Sequence, residues 1–216
     1  MSSPKAETKV SRPNPYAHAP ALPAGECVDV RSIVTGAHYE LEIGPGRGGF
    51  IFERAAAAPD AALIGFEIRR KWATIVDERL AKQGLGTRAR VFAEDAKFAL
   101  PRLSPSASVR LVTMHFPDPW WKKRHQKRLV MSDVILNEVV RLLSVDGEFF
   151  IQTDVEARAE QYSAHIASDG RLVPHGDTPG LAWLAENPYG ARSPRERRAV
   201  TDGLPIFRMR YRKASQ

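Results

Sequence analysis

Short apolar segments alternate with helical patterns from residue 38 onward, and this alternation limits the fold more than any other feature of the sequence. The apolar segments predict strands at 38–43, 62–68, 88–93, 109–116, 149–153 and 205–212. Between them lie stretches with apolar residues at helical spacing, as in 69–83. Strands separated by such helices form βαβ units, so the sequence predicts a Rossmann-like, doubly wound α/β fold. We expect a mostly parallel sheet with a final antiparallel edge strand.

The 216 residues fit one globular domain preceded by an arm. Residues 1–26 contain five prolines and few periodic apolar positions, which predicts an extended or disordered arm, with Asn14-Pro15-Tyr16 docked on the body. Residues 27–216 are expected to form the single domain. The sequence has no run of 18 apolar residues and no secretion signal, and its single cysteine, Cys27, excludes a disulfide framework. We therefore expect a cytoplasmic protein with no membrane segment.

Positive charge is concentrated in two stretches of a chain whose formal net charge is +7. Residues 122–128 hold five basic residues and no acid, and residues 192–213 hold eight basic residues against two acids. The remainder of the chain is net acidic. Such clustering is typical of a surface that binds a polyanion, although solvated charged segments have the same composition.

A glycine-rich turn, GPGRGG at 44–49, follows the first predicted strand. Its spacing matches the G-x-G-x-x-G of dinucleotide-binding turns, so Gly44 and Gly46 are expected to contact a cofactor. Glu42 lies just before the turn, where its charge repels a pyrophosphate but attracts an ammonium and a sulfonium group. The pattern therefore favours S-adenosylmethionine as the cofactor, with an NAD-dependent oxidoreductase as the alternative.

Acidic residues also follow the next two predicted strands. Glu67 ends the second strand, where a carboxylate can accept hydrogen bonds from ribose hydroxyls. Glu94 and Asp95 close the third, where a side chain can receive the amino group of adenine. Acids at the ends of three successive strands are hard to explain as unrelated surface charges, and they support the adenosylmethionine interpretation.

The fourth predicted strand runs into FPDPWWKKRH at 116–125. Prolines on both sides of Asp118 fix the backbone around its carboxylate. Trp120 and Trp121 can stack on a base, and the basic residues after them can hold phosphates. A proline-rich turn with a buried tryptophan is the alternative. We expect no metal, because no cysteine or histidine partner of His115 stands at metal-ligand spacing.

Together these motifs resemble the bacterial tRNA (guanine-N7-)-methyltransferase family. The resemblance covers 40–212 and is carried by LEIGPGRGGF at 41–50, IGFEIRRKW at 64–72, EDA at 94–96, FPDPWWKKRHQKRL at 116–129, QTD at 152–154 and GLPIFRMRY at 203–211. It implies transfer of the methyl group of S-adenosylmethionine to N7 of a guanine in tRNA, within the variable loop.

The resemblance also implies roles for individual residues. Those implied to line the cofactor pocket are Glu42, Glu67, Asp95 and Asp118, and Asp118 is the implied catalytic residue. The implied tRNA contacts are Lys122, Asp154, Ser193, Arg195 and Glu196. Arg195 stands where the family usually has an aromatic residue.

Other functions stay open on the sequence. Methyltransferases that act on an exocyclic amine place Asn or Asp-Pro-Pro-aromatic at the same strand end, and here Asp118-Pro119-Trp120 lacks the second proline. A non-catalytic RNA-binding module is a further alternative, against which the acids at three strand ends count. No interface stripe separates a monomer from a homodimer.

Overall fold

A computed structural model describes residues 14–117 and 130–214 of the chain. Its strands are β1 Val28–Asp29, β2 His38–Ile43, β3 Ala61–Phe66, β4 Ala89–Phe92, β5 Leu103–Ser104, β6 Val109–His115, β7 Leu143–Thr153, β8 Leu172–Pro174, β9 Trp183–Leu184 and β10 Phe207–Lys213. Its helices are α1 Val30–Ile33, α2 Gly49–Ala57, α3 Arg70–Lys82, α4 Ala96–Ala99, α5 Asp133–Leu142, α6 Glu156–Asp169 and α7 Pro194–Thr201.

The main sheet has the strand order β4-β3-β2-β6-β7-β10-β8. Strands β2, β3, β4, β6 and β7 pair in parallel, and β10 pairs antiparallel with β7. The chain moves outward from β2 to β4 and then returns to β6 on the other side of β2. This reversal lies between the carboxyl ends of β2 and β6, which is where doubly wound folds bind their ligands. The predicted fold class is confirmed.

The last strand differs from its prediction in one respect. It is antiparallel as expected, but it is not an edge strand, because β8 and β9 both pair with its outer side. Sequence patterns do not indicate these two strands, since three and two residues are too few to show periodicity. They pair with backbone groups of β10 that an edge strand leaves without partners.

Both faces of the sheet are buried under helices, as the continuous apolar segment of β3, buried at all six positions, requires. On one face, Ile64 and Val112 belong to a core that includes Ile135 of α5 and Ile166 of α6. On the other face, residues of β3 and β4 pack against α2 and α3. This packing fixes the strand ends that carry the predicted site residues.

The described part of the arm, residues 14–26, contains no helix or strand and lies across the end of β4. The Arg70 guanidinium donates to the carbonyl of Tyr16 at 3.0 Å, and the amide of Ala93 donates to the carbonyl of Pro20 at 2.6 Å. Leu22 is 6% exposed and belongs to the main core. Residues 14–26 of the arm are therefore packed on the domain beside the predicted adenine-binding loop.

Candidate cofactor and substrate site

At several positions, the glycine-rich turn adopts a backbone conformation that only glycine takes without strain. Gly44 and Gly48 have φ of 75° and 79°, in the left-handed region. A Cβ at Gly48 would lie 2.6 Å from Val76 Cγ1, so that glycine is needed for packing on α3. Among residues 14–117 and 130–214, no atom lies within 4 Å of the equivalent position at Gly44. These residues therefore leave space beside Gly44 at the carboxyl end of β2.

Glu67 is anchored against this turn and is 3% exposed. Its Oε2 accepts a hydrogen bond from the amide of Gly46 at 2.9 Å. Its Oε1 accepts from the backbone amide of Arg69 at 2.9 Å and from Arg69 Nε at 3.1 Å. The carboxylate thus joins the ends of β2 and β3, and the exposed guanidinium of Arg69 shares it.

Glu42 is buried on β2, and its Oε2 has no hydrogen-bond partner among the described residues. Burial, with a smaller contribution from the charge of Glu67, raises the pKa of Glu42 from 4.5 to about 8. The carboxyl is therefore mostly neutral at pH 7. A cation placed against it would restore the ionised form.

Asp95 lies at the end of the neighbouring strand and is the N-cap of α4, where its side chain accepts from the amide of Lys97 at 3.0 Å. The preceding residue, Glu94, accepts from the amide of Leu22 in the arm at 3.3 Å. The described residues that were assigned to the cofactor from the sequence therefore lie at or just after the carboxyl ends of three adjacent strands, β2, β3 and β4.

The described residues that the family resemblance assigns to the substrate lie on the other side of the switch point. Asp154 follows β7, and its carboxylate forms an ion pair with the guanidinium of Arg195 in the first turn of α7. The Arg195 side chain is 47% exposed, so its cation reaches solvent while it holds Asp154. The sequence placed both residues at the substrate, and the structure brings them into contact.

Ser193 and Glu196 are both buried, and Ser193 Oγ accepts from the amide of Glu196 at 3.1 Å as the N-cap of α7. The Glu196 carboxylate is 0% exposed and bonds to Gln152, Asn187 and Arg208. A buried carboxylate needs such partners, and these contacts stabilise the first turn of α7. A role of these two side chains at the substrate stays a prediction. Asp118 and Lys122 lie outside the described residues.

Sequence reasoning missed the contacts of Arg69 and Gln152. Gln152 belongs to the QTD segment, but only its neighbour Asp154 was expected to have a function. Its amide donates to His115 Nδ1 at 2.9 Å, and burial lowers the pKa of His115 to about 3, which keeps the imidazole neutral. His115 is therefore a polar residue of the interior and not a phosphate contact.

The described residues contain neither a membrane-spanning helix nor a metal-binding cluster. Across 14–117 and 130–214, no helix is long and apolar enough to span a membrane. Over the same ranges, no three His, Cys, Asp or Glu side chains are grouped closely enough to hold a metal ion.

The architecture is that of a class I methyltransferase. Structural neighbours include the 16S rRNA methyltransferase KamB, with a TM-score of 0.59 and 14% identity over 86% of this chain and 91% of that one. Another is the [4+2]-cyclase SpnF, with a TM-score of 0.57 and 14% identity over 93% of this chain and 88% of that one. At such identities the likeness establishes the fold alone.

Sequence relatives define the family more narrowly. A profile described as a putative methyltransferase matches residues 37–209. The tRNA (guanine-N(7)-)-methyltransferase of Anaeromyxobacter dehalogenans is 37% identical over 83% of this chain and 87% of its own length. The enzyme of the same name from Myxococcus xanthus is 35% identical over 81% of this chain and 82% of its own length. The chain belongs to the tRNA (guanine-N(7)-)-methyltransferase family.

Proposed function

We propose that this protein transfers the methyl group of S-adenosylmethionine to N7 of a guanine in the variable loop of tRNA. The observation that carries the proposal is the arrangement at the switch point. Acids suited to an adenosyl cofactor lie on one side of it, and the Asp154–Arg195 pair lies on the other. Relatives with this named activity match more than four fifths of the chain, which supports the same reaction here.

The described residues fit the cofactor. Glu42 offers a buried oxygen without a partner, which suits the ammonium of the methionine moiety. Glu67 can accept from ribose hydroxyls, and Asp95 can accept from the adenine amino group. The open space at Gly44 lets the ligand approach the backbone. S-adenosylmethionine supplies, when bound, a methyl group on a sulfonium centre.

The reaction needs few catalytic groups, because guanine N7 carries an in-plane lone pair and no proton. No general base has to act before attack, so most of the acceleration comes from holding the two reactants in line. The methylated base is cationic, and a nearby carboxylate stabilises that charge as it develops. We assign this carboxylate to Asp118, the residue on which the FPDPW segment is centred.

Guanine selection requires an acceptor for its N1–H and N2–H donors. Asp118 or Asp154 can accept both, whereas adenine offers only an acceptor at N1 to a carboxylate that has no proton to donate. Arg195, Lys122 and the other basic residues of 122–128 are assigned to phosphates. A loop or flipped-out guanine is expected, because a stacked base leaves no room for the pocket.

The proposed cellular location and domain roles follow from the proposed activity on tRNA. A tRNA-modifying enzyme works where tRNA is present, so we place the protein in the cytoplasm. We assign catalysis to residues 27–216 as one domain, with residues 1–26 as its arm.

The test is methyl transfer from labelled S-adenosylmethionine to bulk tRNA, followed by separation of the nucleosides. We expect the label in 7-methylguanosine. Asp118→Asn should lose transfer by about 100-fold or more, far more than it loses cofactor affinity in calorimetry. Label in another nucleoside would assign a different base, and an equal loss of transfer and cofactor binding in Asp118→Asn would make that residue a cofactor ligand only.

A further inference from the structure

A buried amide joins three chain segments of the site and has no assigned role. Gln152, on β7, is 0% exposed, and its Nε2 donates both to His115 Nδ1 at 2.9 Å and to Glu196 Oε2 at 2.8 Å. The carboxylate can only accept, which identifies the shared atom as the amide nitrogen. Each of its two N–H groups therefore has one partner, on β6 and on α7 respectively.

The backbone of Gln152 holds the same end of β6. Its carbonyl accepts from the amide of Phe116 at 2.7 Å. Phe116 has φ of 49°, which is in the left-handed region and is unusual for an aromatic residue. Such a conformation persists only where neighbouring contacts determine it. Gln152 supplies two of those contacts, and the chain continues from Phe116 through Pro117 to Asp118.

On α7, the contact of Gln152 with Glu196 fixes the first turn of the helix. Asn187 Nδ2 donates to the same carboxylate at 3.0 Å, and the Arg208 guanidinium lies 3.3 Å from Glu196 Oε1. Arg195 is the adjacent residue, and it pairs with Asp154, two residues after Gln152. The network therefore sets where α7 presents Arg195 relative to the end of β7.

The network is not arranged for maximal stability. Gln152 Oε1 and His115 Nε2 are buried and have no hydrogen-bond partner among the described residues. They lie in an apolar part of the core, where the His115 and Phe50 ring centroids are 4.1 Å apart. Buried polar atoms without partners are unfavourable, and an apolar side chain would leave none at position 152. The amide is therefore better explained by the geometry that it imposes.

We propose that Gln152 is a positioning residue for methyl transfer, which orients the end of β6 through His115 and Phe116 and the first turn of α7 through Glu196. It contacts neither the substrate nor the cofactor. The inference rests on the proposed function, because it concerns the placement of the groups that receive tRNA. Of the cofactor acids, Glu67 and Asp95 follow β3 and β4, which do not pair with β6 or β7, so cofactor affinity should depend much less on the network than kcat does.

Gln152→Met tests this, because it keeps the shape of the side chain and removes both hydrogen bonds. Gln161→Met is the matched control, since Gln161 is exposed on α6. We expect Gln152→Met to lower kcat on tRNA by about 10- to 100-fold, with the cofactor Kd within about twofold of wild type. The control should match wild type. Unchanged kcat, or parallel loss of kcat and cofactor binding, would overturn the proposal.

Gln152→Glu gives a second test that does not depend on the methionine variant folding. When protonated, its carboxyl can still donate to Glu196, and when ionised it repels that carboxylate. Activity relative to wild type should therefore be at least about fivefold higher at pH 6 than at pH 8.5. An equal ratio at both pH values would contradict positioning by this hydrogen bond.

Failure of the wild type to methylate tRNA would remove the proposed function and this inference together, whereas an active wild type with unaffected variants overturns this inference alone.

Discussion

Glu42, on β2, and Glu67, directly after the neighbouring strand β3, are both buried at one end of the sheet. Glu67 has hydrogen-bond donors on both oxygens, from Gly46 and Arg69, whereas one oxygen of Glu42 has no partner among the described residues. Burial, together with the nearby charge of Glu67, raises the pKa of Glu42 to about 8. A cationic ligand is the partner that the Glu42 position lacks.

Cofactor affinity should depend on pH through Glu42. The carboxyl is protonated in the free protein below about pH 8 and ionised beside an ammonium, so binding releases a proton and strengthens as pH rises. Between pH 5.5 and 7, where the ligand's amino group stays protonated, the Kd should fall by up to about tenfold per pH unit. Calorimetry should show this slope in wild type and its loss in Glu42→Gln. Equal slopes in both proteins would contradict the assignment.

Arg69 should weaken cofactor binding in the wild type, because its guanidinium occupies the Glu67 oxygen that ribose hydroxyls would use. Arg69→Gln should therefore bind S-adenosylmethionine about threefold more tightly in calorimetry. Arg79→Gln removes an exposed charge from the same helix, α3, without a contact to Glu67 among the described residues, and should bind like wild type. Weaker binding by Arg69→Gln would instead make Arg69 a cofactor contact.

Arg195 should act on tRNA and not on the cofactor. If its half-exposed guanidinium contacts a phosphate, Arg195→Ala should reduce the slope of log affinity against log salt by about 0.7 to 0.9. Filter binding of tRNA over a salt series measures this slope. Arg198→Ala is the control, because Arg198 lies on the same helix and pairs with Asp202. An unchanged slope in Arg195→Ala would limit Arg195 to holding Asp154.

The arm should contribute to stability through Leu22. This side chain is 6% exposed in the main core, so Leu22→Ala should lower the free energy of unfolding by about 2–5 kcal/mol. Leu204→Ala, at a position 42% exposed, should change it by less than about 0.5 kcal/mol. Denaturant titration compares the two variants. Equal midpoints would show that the arm is dispensable for the fold.

The sequence predicted those parts of the molecule that depend on local pattern. Strand β2 was placed at 38–43 and is observed there, and 69–83 is observed as α3 at 70–82. The glycine turn and the acids at the ends of β2, β3 and β4 were expected close together and are observed so, because parallel strands bring their carboxyl ends to one edge of the sheet.

The contacts that the sequence did not predict depend on residues far apart in the chain. Gln152 meets His115 and Glu196 across 37 and 44 positions, and no periodicity reports such a pairing. Glu196 looks like a surface acid in a basic stretch, yet Arg208, which lies on β10, pairs with it inside the protein. Arg69 lies two positions after Glu67 in the sequence, but only the three-dimensional structure shows that its guanidinium contacts the Glu67 carboxylate.

The most direct measurement of the central claim compares two transcripts of one tRNA, made with guanosine or with 7-deazaguanosine, as methyl acceptors. Replacing N7 by a C–H group removes the lone pair that attacks the methyl group and leaves the Watson–Crick edge intact. The account predicts stoichiometric labelling of the guanosine transcript, recovered as 7-methylguanosine, and none of the 7-deaza transcript. Equal labelling of both would place the reaction at another atom and contradict the account.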